Sequence, residues 1–139
     1  MRLNLFVLML LAAPAWAGGH RVTAVSDPLV QKECGQCHMA FSPSFLTADG
    51  WNKIMDGLAN HFGDNAELSA DKASKVRAWL VGHAGAGKRA GDGLRITETR
   101  WFRHEHDFPD RVWKRPEVGA KSNCPACHKQ AEQGWFDDD

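Results

Sequence analysis

The chain contains the five-residue pattern Cys-x-x-Cys-His twice, as Cys-Gly-Gln-Cys-His at 34–38 and as Cys-Pro-Ala-Cys-His at 124–128. The two copies use all four cysteines of the chain. Two thiols at this spacing can each form a thioether with one vinyl group of a porphyrin, while the imidazole that follows reaches the iron. A zinc half-site has a similar short spacing, but two complete copies with no cysteine left over favour haem. The pattern therefore predicts two covalently attached haem c groups.

The two copies define a first set of functional residues. We expect haem attachment at four cysteines and iron ligation by the two histidines that follow them: Cys34, Cys37, Cys124, Cys127, His38 and His128. The chemistry then depends on the opposite face of each iron. A second histidine there gives a closed electron carrier of relatively low potential, whereas a methionine raises the potential. An open face permits reactions with oxygen, nitric oxide or peroxide.

His61 is the strongest candidate for the opposite face of the first haem. Apolar residues recur at steps of three and four from Thr47 onward, and the pattern predicts a helix on which His61 shares an apolar stripe with Ile54 and Leu58. A histidine on an apolar face needs a polar partner, and iron would supply one. The alternatives are a core histidine bonded to a backbone carbonyl and, for the iron, a thioether ligand from Met55.

Three further residues are weaker candidates for the first haem. His83 lies at the glycine-rich end of another predicted helix, where a charged imidazole stabilises the helix C-terminus. Met39 directly follows the proximal ligand, so it is too close in sequence to reach the opposite face. His20 would lie near the start of a processed chain, where residues are commonly poorly ordered.

For the second haem the choice lies between His104 and His106. These two residues are two positions apart and would therefore project from different faces of a helix. No methionine follows Met55 in the sequence, which excludes a thioether ligand from this part of the chain. Spacing alone does not decide between the two histidines.

The first residues have the pattern of a secretory signal peptide. A basic Arg2 precedes an apolar run at 3–13, and Ala-Trp-Ala at 15–17 is typical of a cleavage site. The apolar run is shorter than the roughly 20 residues that a membrane-spanning helix needs. We therefore predict that 1–17 is cleaved near Ala17 and that the mature protein lies in the periplasm, with no membrane span of its own.

Composition and charge restrict the fold class and the partners. About 122 of the 139 residues would remain after cleavage, enough for one medium domain or two very small ones. The full chain has a formal net charge of zero, so we expect no nucleic-acid partner. The charge is uneven, since 88–129 holds ten Lys and Arg against six Asp and Glu. This basic region would surround the second haem, either as a solvated surface near the propionates or as a docking patch.

The remaining pattern predicts a mainly α protein with extensive loops. Five glycines at 82–93 suggest a linker between an N-terminal haem lobe at 18–87 and a C-terminal haem lobe at 88–139. In the first lobe, helices are expected to start after Asp27, Thr47 and Ser69, an arrangement like that of class I cytochromes c. The second lobe should contain a short strand at 94–97 and a brief helix within 97–107. Pro109 and Pro116 then prevent any longer element, so this irregular lobe would wrap the second haem.

The sequence resembles the periplasmic dihaem cytochrome c family known as DHC. The resemblance covers nearly the whole chain after the signal peptide and rests on 33–40, 57–63, 95–99, 101–102, 105–106, 118–119, 123–124, 127–128 and 131–134. In that family both haems have two histidine ligands, and a recurring Trp-Phe-x-x-Glu-His segment aligns the ligand with His106. The resemblance therefore implies the pairs His38 with His61 and His128 with His106.

The resemblance also implies a role in electron transfer and no enzymatic activity. Members of the family pass electrons between redox proteins, among them an oxygen-binding monohaem cytochrome c and a membrane b-type cytochrome. Two closed irons can exchange electrons but cannot bind a substrate. The alternative hypothesis is a small haem enzyme or gas-binding protein with one open iron, in which Glu105 or His104 would act near the open face.

Overall fold

The computed structural model describes residues 21–91 and 93–137, so the predicted signal peptide and His20 lie outside the described residues. The described chain is mainly helical and rich in loops, as predicted. Its α-helices are α1 (Pro28–Cys34), α2 (Ala48–Asp56), α3 (Ala70–Gly82), α4 (Arg100–Glu105) and α5 (Asp110–Trp113). Within the described ranges, extended pairing is limited to isolated bridges. No helix in these ranges is both long enough and apolar enough to cross a bilayer.

Helix α1 carries the chain into the first Cys-x-x-Cys-His motif. The Asp27 carboxylate accepts hydrogen bonds from two backbone N–H groups of the first turn, at 2.8 and 3.0 Å, and a proline follows it. The helix ends at Cys34, where the N–H of Gly35 donates to the Gln31 carbonyl over 3.0 Å. A Cβ atom on Gly35 would overlap that same carbonyl oxygen, so the tight exit toward the motif requires glycine. The predicted helix start at Asp27 is confirmed.

Helix α2 starts as predicted but ends earlier. The Thr47 hydroxyl accepts a hydrogen bond from the N–H of Gly50 over 3.2 Å, which caps the first turn. The helix stops at Asp56, and the N–H of Gly57 closes it on the Ile54 carbonyl over 3.0 Å. The apolar period continues past this glycine, whereas the helix does not, because glycine ends helices readily. The prediction that this helix continues through His61 is therefore wrong, and His61 does not lie on a helical stripe.

Helix α3 supplies the inner face against which α1 and α2 pack. Its predicted start after Ser69 is confirmed, and its inward side chains Val76 and Leu80 are 0% and 2% exposed. The helix ends at Gly82, and the Nδ1 atom of His83 lies 2.8 Å from the Trp79 carbonyl oxygen. His83 therefore occupies the helix C-terminus, as the sequence suggested.

The main core forms where these three helices meet the loops between them. Its buried members are Val25, Val30, Phe45, Leu46, Trp51, Met55, Val76, Leu80 and Ile96. The indole N–H of Trp51 donates to the Pro43 carbonyl over 2.6 Å, so the one polar group of this side chain is satisfied inside the core. Met55, the alternative thioether candidate, packs among these residues and is 6% exposed.

The segment at 82–93, predicted as a linker, forms backbone hydrogen bonds with the residues just before α2. The N–H of Gly85 donates to the Leu46 carbonyl and the N–H of Gly91 donates to the Phe45 carbonyl, both over 2.9 Å. In return, the N–H of Thr47 donates to the Gly91 carbonyl over 3.2 Å. The glycines thus permit close approach of two backbones, and the division of the chain into two lobes stays a prediction.

The segment before α4 forms a 3-10 turn instead of the predicted strand. Ile96–Glu98 makes this turn, and Ile96 enters the core, because no neighbouring strand is present in the described chain to pair with it. The Thr99 hydroxyl donates to the Ile96 carbonyl over 2.8 Å and accepts from the N–H of Phe102 over 3.2 Å. This cap starts α4, which falls within the helix predicted at 97–107. Helix α5 begins directly after Pro109.

Candidate functional site

The first motif follows α1 on a bent, partly exposed segment. Cys34 is half-buried at the helix end, whereas Cys37 is exposed. Burial, with a smaller contribution from the Glu33 carboxylate, raises the pKa of the Cys34 thiol to about 11. Before haem attachment this cysteine is therefore a neutral thiol at ordinary pH. The two attachment residues present one shielded and one accessible sulphur.

His38 is oriented by a backbone carbonyl and an aromatic ring. Its Nδ1 atom donates to the Met39 carbonyl over 2.7 Å. The ring also stacks on Phe41, with centres 4.6 Å apart and 23° between the planes. A histidine whose Nδ1 atom is bonded to a carbonyl keeps its Nε2 atom for a metal, which is the usual arrangement of metal-ligating histidines.

His61 lies opposite His38, on a tight loop after α2. Its backbone N–H donates to the Asp64 carbonyl over 2.7 Å, and the Asp64 N–H returns a bond over 3.2 Å. Between them Phe62 has a φ of 56°, a left-handed conformation that few side chains adopt. Burial, His38 and Arg95 lower the pKa of His61, against a smaller opposite effect of Asp64. The lowered pKa of His61 favours the neutral imidazole, the form that can bind a metal.

The separation of His38 and His61 fits two ligands on one metal ion. Their ring centres are 6.4 Å apart, with 28° between the ring planes. A metal–imidazole bond is about 2 Å long and a ring nitrogen lies about 1.1 Å from its ring centre, so two rings on one ion have centres about 6.2 Å apart. The separation of the two rings is therefore close to that of two imidazoles that would hold one metal ion.

The second motif lies on a 3-10 turn at Cys124–Ala126. The N–H of His128 donates to the Cys124 carbonyl over 2.8 Å, which folds the histidine back beside the first cysteine. Burial raises the pKa of the Cys124 thiol to about 11, and Cys127 is exposed. The Nδ1 atom of His128 lies 3.3 Å from the Asp137 carbonyl oxygen. The two motifs therefore share one shielded cysteine, one exposed cysteine and a carbonyl at the Nδ1 atom of the histidine.

His106 lies opposite His128 and directly follows α4. The ring centres of these two histidines are 6.1 Å apart, with 82° between the planes. The Nδ1 atom of His106 donates to the Phe102 carbonyl over 3.0 Å, and the His106 ring stacks on the Phe102 ring. This separation also agrees with the spacing of about 6.2 Å expected for two imidazoles on one metal ion.

His104 does not share this site. Its side chain is 83% exposed, and its Nδ1 atom lies 3.2 Å from a carboxylate oxygen of Glu105. The structure thus brings His106 to His128 and leaves His104 at the surface. The sequence spacing had left this choice open, and the family resemblance had pointed to His106.

The phenylalanines that contact the candidate ligands were not identified from the sequence. Phe41 stacks on His38, Phe102 stacks on His106, and Phe136 lies beside His128 with ring centres 5.3 Å apart. The spacing of Phe102 and His106, four residues apart on a predicted helix, was a usable signal because such pairs lie on one face. Phe136 gave no such signal, since it reaches His128 through the fold of the chain end.

Comparisons with known proteins place the chain in one family. A family model described as dihaem cytochrome c matches residues 30–136. A crystal structure of DHC purified from Rhodobacter sphaeroides is 37% identical, covers 82% of this chain and 100% of its own, and has a TM-score of 0.74. A dihaem cytochrome c from Shewanella baltica OS155 is 40% identical, covers 79% and 86%, and has a TM-score of 0.71. The comparison with curated proteins found no match. The chain therefore belongs to the dihaem cytochrome c family and carries two covalently attached haem c groups.

Proposed function

We propose that this protein is an electron carrier of the periplasm in which each iron is held between two histidines. The pairs are His38 with His61 and His106 with His128. The observation that supports this most strongly is the separation of the rings, 6.4 Å in the first pair and 6.1 Å in the second. Carbonyl oxygens near the Nδ1 atoms of three of the four rings leave their Nε2 atoms available for iron.

Four protein ligands on two irons favour electron transfer over catalysis. Bound haem supplies reversible one-electron chemistry of iron. His38 with His61 and His106 with His128 would each hold one iron from both sides, so a substrate could reach the metal only if a histidine left. Membership of the dihaem cytochrome c family, whose proteins are generally electron carriers, supports the same role.

The periplasmic location rests on the N-terminal sequence. The apolar run at 3–13 and the Ala-Trp-Ala sequence at 15–17 support export and cleavage near Ala17. Thioether bonds at every cysteine are also compatible with an oxidising compartment, because no thiol remains to form a disulfide. The N-terminal sequence of the exported holoprotein would test this location, and a retained residue 1 would contradict it.

The partners we propose are redox proteins, namely an oxygen-binding monohaem cytochrome c and a membrane b-type cytochrome. The family resemblance supports them. A set of exposed cations around α4 and α5 would face an acidic partner near the second haem: Arg100, Arg103, Arg111, Lys114 and Arg115. Exposed charges act mainly on the association rate and are screened by salt. Partner reduction rates that do not change with ionic strength would contradict a docking role for this surface.

The test of the closed-iron function is the visible spectrum of the reduced holoprotein before and after addition of carbon monoxide, with haem measured per chain. We expect two haems per chain and no spectral change, because a histidine on each side of the iron would leave no position for carbon monoxide. A change in half of the signal would show one open iron and would favour a gas-binding protein or a small haem enzyme.

A further inference from the structure

The two pairs of candidate ligands differ in the angle between the ring planes. His38 and His61 are close to parallel, at 28°, whereas His106 and His128 are nearly perpendicular, at 82°. The separations of the ring centres are similar, at 6.4 and 6.1 Å, so the two pairs differ in the angle between the ring planes and not in their spacing. A neighbouring group in the second site must therefore keep one imidazole nearly perpendicular to the other.

Phe102 is in a position to hold His106 in this orientation. The two rings stack with centres 4.1 Å apart and only 8° between their planes. The Phe102 carbonyl accepts both the backbone N–H of His106, over 2.9 Å, and its ring Nδ1–H, over 3.0 Å. Rotation of the imidazole about its metal-binding direction would therefore break the Nδ1 bond and tilt the ring into Phe102.

Phe102 itself is fixed. It is 6% exposed, and its backbone N–H is capped by the Thr99 hydroxyl over 3.2 Å. The indole ring of Trp113 lies 6.3 Å from the Phe102 ring at 34°. Within the described residues, the opposite ligand has no ring that lies comparably parallel to it, since Phe136 meets His128 at 54°. Phe102 thus orients the His106 side of the pair, while on the other side the Asp137 carbonyl oxygen lies 3.3 Å from the Nδ1 atom of His128.

We propose that Phe102 is a positioning residue that holds His106 crossed with respect to His128, and thereby makes the second iron electronically different from the first. The proposal rests on the two-histidine ligation proposed above. An imidazole donates π density into the iron d orbital perpendicular to its own plane. Two parallel rings donate into the same d orbital, so the energies of the two dπ orbitals become different. Two crossed rings donate into different d orbitals, so the two energies stay nearly equal.

Electron paramagnetic resonance of the fully oxidised holoprotein tests this difference. A low-spin ferric centre with separated levels gives a rhombic spectrum of three lines, and one with nearly equal levels gives a single prominent line at much lower field. We expect one signal of each kind in equal amounts. Two rhombic signals would overturn the proposal, while a high-spin signal would instead contradict the two-histidine ligation on which it rests.

Substitutions at Phe102, with one control at Phe41, test whether the low-field line depends on Phe102. In Phe102→Leu the apolar volume is largely kept but the ring plane is lost, so the low-field line should move toward the rhombic position. Phe102→Tyr retains the ring and should retain the line. The matched control is Phe41→Leu, because Phe41 stacks on His38 at 23° and should affect only the rhombic signal. A Phe102→Leu holoprotein with two haems and an unchanged low-field line would overturn the proposal. If that variant lost the second haem, Phe102→Met would decide by the same criterion.

Discussion

The indole ring of Trp101 stacks on the ring of Phe45, with centres 5.6 Å apart and 25° between the planes. Phe45 also meets the edge of Phe136, with ring centres 5.3 Å apart. Trp101 lies beside His106 and Phe136 lies beside His128. One buried side chain between α1 and α2 therefore supports both candidate ligands of the second haem.

Phe45→Ala should destabilise the holoprotein strongly. Phe45 is 5% exposed, and truncation of a buried phenylalanine costs about 3–5 kcal/mol because a cavity remains. The free energy of unfolding, measured in urea by far-ultraviolet circular dichroism, checks this loss. Leu94→Ala is the control, since Leu94 is 42% exposed and should cost less than about 1 kcal/mol. Equal losses in the two variants would contradict the supporting role of Phe45.

Lys72→Met should cost more stability than Lys75→Met. Lys72 donates a 2.9 Å hydrogen bond to Glu33, whose side chain is 6% exposed, so the variant leaves a carboxylate without its partner in a buried position. We expect a loss of about 1–2 kcal/mol. The ion pair of Lys75 with Asp71 has the same length but both side chains are well exposed, and its loss should be below about 0.5 kcal/mol. Urea unfolding of both variants gives the comparison, and similar losses would show that burial of Glu33 does not matter.

The elements that could be predicted from the sequence are those with a local signal. Asp27 with the proline after it specifies the start of α1, and the apolar residues of α3 recur at helical spacing over its whole length. The end of α2 was missed because the apolar period continues beyond Gly57. His61 was predicted to lie on a helix but lies in a loop. That loop depends on a backbone bridge with Asp64 and on the left-handed conformation of Phe62, which the sequence pattern does not show.

The residues of the two candidate haem sites also differ in whether a local sequence signal identifies them. The attachment cysteines and the histidines after them follow from five consecutive residues, whereas the partner histidines come from distant parts of the chain. The sequence could not separate His104 from His106, because the difference is where α4 ends: His106 is its C-terminal cap and turns toward His128. The angle between the two rings has no local signal at all, because it results from the Phe102 carbonyl and ring on one side and the chain end on the other.

Gly134→Ala should weaken the contact between the two ends of the described chain. Gly134 has a φ of 83°, and its carbonyl accepts the N–H of Val22 over 2.9 Å. An added Cβ atom would overlap the Val22 carbonyl oxygen in addition to the conformational cost of a left-handed alanine. We expect a loss of about 2–4 kcal/mol in urea unfolding.

Gly119→Ala is the matched control for that variant. Gly119 has a φ of 67°, but the nearest heavy atom to an added Cβ is the Pro116 carbonyl oxygen at 3.9 Å. Only the conformational cost of about 1–2 kcal/mol remains. If Gly119→Ala were as destabilising as Gly134→Ala, the close approach to Val22 would not be the cause.

Substitution of one distal histidine should open one iron and leave the other closed. His61→Ala removes the ring 6.4 Å from His38, and His106→Ala removes the ring 6.1 Å from His128. In each variant we expect half of the haem to become high-spin and, when reduced, to bind carbon monoxide. The visible spectrum with haem quantified per chain measures both changes.

His104→Ala is the control for His106→Ala. It shows whether an effect comes from loss of an iron ligand or from loss of any histidine near the second haem. His104 is two residues from His106, but its side chain is 83% exposed and contacts only Glu105 among the interactions of the described chain. Both irons should therefore stay low-spin and unreactive toward carbon monoxide in this variant. A high-spin signal in His104→Ala, together with an unchanged spectrum in His106→Ala, would reverse the assignment. The second iron would then have to draw its ligand from the outer face of α4, and the crossed arrangement attributed to Phe102 would no longer apply.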